Sequence, residues 1–131
     1  MANRWYNQFR LQLEKEVVSL FGKVTFGAAG APTLVTAKSK GIYSIAHGAT
    51  GVYTITLQDA YVSLLNLSWV FLFASAPQSL GGYVVSTTVG SSGTSKPEIV
   101  VTFVDDAGSA VDPADGEALL FQVNLSNSTA P

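Results

Sequence analysis

Residues 41–73 constrain what this chain can fold into more than any other stretch. Residues 41–47 (Gly-Ile-Tyr-Ser-Ile-Ala-His) and 52–57 (Val-Tyr-Thr-Ile-Thr-Leu) are extended runs around the small turn residues Gly48-Ala-Thr-Gly51, a hairpin signal. In the second run Tyr53, Ile55 and Leu57 fall on one face and Val52, Thr54 and Thr56 on the other, as a half-buried strand requires. After a connection through 58–64, Leu65, Leu67, Trp69, Phe71 and Phe73 occupy every second position, the most apolar run in the chain. The alternate face starts polar at Asn66 and Ser68 and turns apolar at Val70, Leu72 and Ala74. This pattern predicts a central strand, wetter at its start and buried on both faces toward its end.

The rest of the chain must cover that hairpin and strand. A chain of 131 residues is one domain by length and can bury roughly two-thirds of its unfolded surface without a staple. With no cysteine, disulfides, zinc–thiolate sites and cysteine nucleophiles are excluded. Only 12% of residues are charged, about half the usual share. Two readings follow: surface hidden in an assembly, or a neutral surface of Ser, Thr, Asn and Gln. No run reaches the ~18 apolar residues of a membrane span. Polar residues from Asn3 to Gln12 interrupt any signal-peptide core, so the expectation is synthesis in the cytoplasm, with no membrane partner. Six of the seven basic residues lie within the first forty positions and six of the nine acids lie after Pro97. Such a split either steers the start of one chain toward the end of another copy or is mixed away by the fold.

Residues 1–16 are read as an N-terminal arm and 17–131 as the body. In the arm, Trp5, Phe9 and Leu13 recur at helical spacing, yet Phe9, Leu11 and Leu13 also alternate with Arg10, Gln12 and Glu14 as an extended segment would. Either form needs a surface to lie on, in the same subunit or a neighbour. The body reads as about eight strands: 17–26 with Gly22 as a bulge, 34–37, the two hairpin runs, the 65–73 run, 83–89, 99–104 and 118–125. One helical turn is allowed between 59 and 65. The fold class is therefore all-β, a β-sandwich or jelly-roll-like antiparallel barrel with a short N-terminal arm or helix.

Few residues invite chemistry. His47, the single histidine, ends a strand beside Gly48, and with no nucleophile elbow in the sequence it reads as a surface or turn residue. The acids of 105–117 lack EF-hand spacing and match turn chemistry in Asp105-Asp-Ala-Gly and Asp112-Pro-Ala-Asp-Gly, so no metal or other cofactor is expected. The loop 27–32 lacks the Lys-Ser/Thr ending of a phosphate cradle. Acids outnumber bases, against a nucleic-acid partner, so the aromatics read as core or subunit contacts.

Three stretches carry a resemblance: residues 7–27, residues 30–65 (GAPTLVTAKSKGIYSIAHGATGVYTITLQDAYVSLL) and residues 112–128 (DPADGEALLFQVNLSNS). They are similar to small structural proteins of tailed bacteriophages, in particular the capsid cement, or decoration, proteins. The resemblance implies a sandwich or jelly-roll body on the capsid exterior, a small homo-oligomer (trimer favoured, dimer possible) and the major capsid protein as partner. It implies no catalytic residue. The expected interface residues are Trp5, Tyr6, Phe9, Leu11 and Leu13. The alternatives are another virion part, such as a tail or fibre subunit, and a carbohydrate-binding sandwich.

Overall fold

A computed structural model describes residues 17–74, 80–90 and 96–127. Eight strands run in chain order: β1 (Val17–Phe26), β2 (Pro32–Leu34), β3 (Ile42–His47), β4 (Val52–Leu57), β5 (Ser63–Leu72), β6 (Gly81–Thr88), β7 (Glu98–Val104) and β8 (Ala118–Ser126). Two short 3₁₀ turns, Ala28–Gly30 and Thr36–Lys38, are the only helical pieces among the described residues. The strands form two four-stranded antiparallel sheets, β2-β1-β8-β5 and β3-β4-β7-β6, packed face to face. This is a β-sandwich. The sheets stay separate and no barrel closes, so the closed form within the expected fold class is not adopted.

Alternation builds the core. Tyr53, Ile55 and Leu57 of β4 are all buried, as are Ile99, Val101 and Phe103 of β7 beside them. Leu119, Phe121, Val123 and Leu125 of β8 face them from the first sheet with Leu20, Val24 and Phe26 of β1. Each strand thus spends one face on the interior. The predicted hairpin forms as read, with Gly48–Gly51 as its turn. Gly51 takes φ 73°, and a Cβ there would come within 2.6 Å of the Phe103 carbonyl oxygen, so only glycine fits.

Several expectations need correction. The 65–73 run is no central strand: among the described residues β5 pairs with β8 alone and forms the edge of its sheet. Its second face, apolar at Val70 and Leu72, is exposed at 60% and 43% rather than buried. Apolarity on both faces normally marks burial by layers of the same chain; here the described residues supply only one layer. The run 34–37 is not a strand. Pairing with β1 ends at Leu34, and the 3₁₀ turn follows, held by Ser39, whose hydroxyl donates to the Val35 carbonyl. No helical turn forms at 59–65. Gly22 is not a bulge, because β1 pairs with β8 without a break from Val17 to Thr25. The glycine is there because the Phe121 ring, its cross-strand partner, lies on it.

Gly22→Ala would drive a methyl group into that ring and should destabilise the protein by about 1–3 kcal/mol in chemical denaturation. Adding Phe121→Leu should recover part of the loss. An unchanged Gly22→Ala midpoint would contradict the packing described.

Candidate functional site

Two surfaces break the usual rule that exposed strands are polar. The first is the seam between β5 and β6, the edge strands on one side of the sandwich. The Trp69 indole of β5 meets the Phe103 ring edge-on at 5.9 Å, and a Cβ at Gly82 of β6 would touch that indole, so the two edges stand opposite one another. Beyond them the interior is only partly covered. Leu67, Trp69, Phe71 and Phe73 are half-buried, and Val84, which pairs with the buried Val101, remains 37% exposed. Tyr83, Val85 and Leu65 are also exposed. Neither β5 nor β6 contains a charged residue or a proline. Natural edges are usually blunted by such residues or kept short. β2, at the far edge of the first sheet, follows that rule with three residues, whereas β5 has ten and β6 eight. Each does carry one irregularity, at Leu64/Asn66 and at Val84/Ser86.

The second surface is the outer face of the first sheet. Lys23, Leu120 and Val70 form one row across β1, β8 and β5, and Phe21, Gln122 and Ser68 the next. Phe21, Val70, Leu72 and Leu120 are exposed between 40% and 60%, and all but Leu72 line a shallow depression together with Trp69 and Phe121. Diagonal neighbours on a sheet are within side-chain reach, so these residues form one continuous apolar patch that runs to the β5 edge.

A polar cluster lies at the hairpin turn. The Asp112 carboxylate accepts from the Gly51 backbone N–H at 2.6 Å and bonds His47 Nε2 at 2.9 Å. The His47 ring stacks on Tyr53 with centroids 4.9 Å apart. The Tyr53 hydroxyl donates to the Gly30 carbonyl at 2.8 Å and lies 3.4 Å from Asp112. Burial, reinforced by the Asp112 charge and hydrogen bond, pushes the Tyr53 pKa well above the usual tyrosine value. The hydroxyl therefore stays protonated and committed to its acceptors. The cluster ties three segments together: the 28–30 turn, the β3–β4 hairpin and the 105–117 loop. His47 is thus a turn residue, as read, but half-buried and bridged to Asp112. Its partner Asp112 was legible only as a turn former. Asp105 behaves as read: its carboxylate accepts from the N–H groups of Ala107 and Ser109, both at 2.9 Å. Among the described residues no group of three or more His, Asp or Glu is placed to hold a metal.

The residues singled out from sequence, Trp5, Tyr6, Phe9, Leu11 and Leu13, lie outside the described residues. Sequence reading missed Phe21, Leu120 and the β6 edge. Their signal was faint: isolated apolar residues on faces otherwise occupied by Ser19, Lys23, Gln122 and Asn124.

Tyr53→Phe strands the Gly30 carbonyl and should cost about 1–2 kcal/mol at neutral pH. The folded chain also holds the Tyr53 proton more tightly than the unfolded chain does. That stabilisation is complete below about pH 10 and is lost as pH rises beyond it. Tyr61, whose pKa is raised by burial and then by Asp59, adds to the same trend. Denaturant titrations from pH 8 to 11.5 should show stability falling at the alkaline end, and less steeply in Tyr53→Phe. Equal slopes in the two proteins would contradict the assignment.

No protein-family model matches the chain, and neither the curated proteins nor the solved structures compared with it include a match.

Proposed function

We propose that this chain is a non-enzymatic structural protein of a virion, a cement protein that sits on the outside of a phage capsid and braces it by bridging major-capsid subunits. The observation that carries the reading is the apolar patch from Phe21 and Leu120 across Val70 and Leu72 to the uncharged β5 edge. A small chain keeps such a surface where something else covers it. The resemblance of residues 7–27, 30–65 and 112–128 to capsid decoration proteins supports the same reading, as does the low charge of the whole chain.

In this reading the sandwich is a rigid spacer. Its outer face contacts the shell, and Trp5, Tyr6, Phe9, Leu11 and Leu13 contact neighbouring copies. A small homo-oligomer, with a trimer favoured, multiplies weak individual contacts by holding several of them over one capsomer. Burying Val70 and Leu72 would contribute about 1–2 kcal/mol each per copy, enough to matter once multiplied.

The test is co-sedimentation of the purified protein with shells of the encoding phage assembled without it. The protein should pellet with the shells and raise their disruption temperature. The double variant Val70→Asp/Leu72→Lys should keep its melting temperature but lose shell binding by tenfold or more. A protein that stays in the supernatant, or that pellets with tails and not with shells, would overturn the proposal.

A further inference from the structure

We infer that the outer face of the first sheet docks on a protein surface whose apolar centre is flanked by carboxylates, and that Lys23, Lys38 and Lys40 face those carboxylates. The inference rests on the cement reading, takes the major capsid protein as the partner, and names the chemistry that its surface must present.

The fold does not mix the charges. The four strands of the first sheet contain one charged residue, Lys23 of β1. The 35–40 segment brings two more lysines beside it. Phe21 and Lys40 exchange both backbone hydrogen bonds, at 3.2 and 2.7 Å, so they stand directly opposite with their side chains on one face. Ser39 fixes this segment against β1: its hydroxyl accepts from the Lys23 N–H at 3.1 Å and donates to the Val35 carbonyl at 2.8 Å. Lys38 ends the 3₁₀ turn one residue earlier. Among the described residues none of these lysines forms an ion pair. The described acids lie on other elements: Asp59 after β4, Glu98 on β7, and the rest in the 105–117 loop.

The face therefore has three zones in a fixed order. The lysines flank it on the β1–β2 side, Phe21, Leu120 and Val70 fill the centre, and the β5 edge is uncharged. Gln122 and Ser68 stand in the same row as Lys40 and Phe21. An apolar centre with a polar and charged rim is the anatomy of a protein–protein contact. A lipid surface would strip water from the amide and hydroxyl of that row without replacing it, whereas a protein supplies donors and acceptors. A second copy would have to offer its acidic 105–117 loop, which has no exposed large apolar residue to cover the centre. Rim lysines of this kind set the rate of encounter and its salt dependence, while the apolar centre holds the complex.

The experiment mixes the full-length chain with shells of the encoding phage assembled without it and adds a carbodiimide, which joins a lysine amine to a carboxylate in contact with it. Mass spectrometry should locate an amide between Lys23, Lys38 or Lys40 and an Asp or Glu of the major capsid protein. The triple variant Lys23→Gln/Lys38→Gln/Lys40→Gln should keep its melting temperature, bind shells about tenfold more weakly at low salt and lose most of the salt dependence. Lys96→Gln, beside Tyr43 of the second sheet, should bind as the unmodified protein does. A triple variant that binds shells like the unmodified protein, with the same salt dependence, would overturn the inference and leave the cement reading standing. Amides that join these lysines to the 105–117 loop of another copy, with none to the shell, would overturn it in favour of self-association. A chain that stays in the supernatant would overturn both readings, and its pelleting with phosphatidylserine vesicles instead would give the face to a membrane.

Discussion

Phe103 is fully buried, and three aromatic rings converge on it: Tyr53 from its own sheet at 5.4 Å, and Phe71 and Trp69 from the facing sheet at 5.1 and 5.9 Å. The Phe71 and Trp69 contacts are edge-on, a geometry that adds to the burial of the rings themselves. They hold β5 over β7 even though, among the described residues, β5 is bonded to one neighbour only. The Phe103 backbone is equally committed: its N–H donates to the Gly51 carbonyl, and its own carbonyl accepts from Val111. The hairpin turn, the 105–117 loop and the β5 edge are therefore all referred to one residue. At its other end the same loop is fastened by Glu117, a buried carboxylate that accepts from the Ala74 N–H just past β5.

From that point the two sides of the sandwich differ. On the β2–β3 side the edges are managed. β2 is three residues long, and the exposed Tyr43 of β3 carries Lys96 over its ring at 4.5 Å. On the β5–β6 side no charge intervenes and the strands are long. The apolar outer patch leads onto that same side. Among the described residues one flank is protected and the other bare, so the sandwich has an orientation built into it, and the proposed assembly would use the bare flank.

Much of this was legible in the sequence, and the failures share one cause. Period-two patterning located β1, β3, β4, β7 and β8 almost to the residue, because each presents an apolar face to a single core. The hairpin was readable because Gly48 to Gly51 supplies both small size and a positive φ. For β5 the pattern was read correctly, but its meaning was not. Two apolar faces signal two covering layers, and sequence does not say whether the second layer belongs to the same chain. The His47–Asp112 pair was invisible for another reason: sixty-five positions separate its members, and only the packing of the loop on the hairpin turn joins them. Gly22 carried a true signal with two readings, bulge or close approach, and the ring that decides between them lies on a different strand.

The central claim is that the β5–β6 flank is covered when the protein is assembled. Hydrogen–deuterium exchange resolved along β5 and β6 tests it most directly. Edge amides of an isolated sandwich have no strand partner and exchange quickly. The account predicts that assembled protein protects the outward-facing amides of β5 and β6 nearly as well as those of the interior strand β4, and that dilution to monomer removes this protection. Fast exchange along both edges in the assembled protein, with β4 protected as usual, would contradict it.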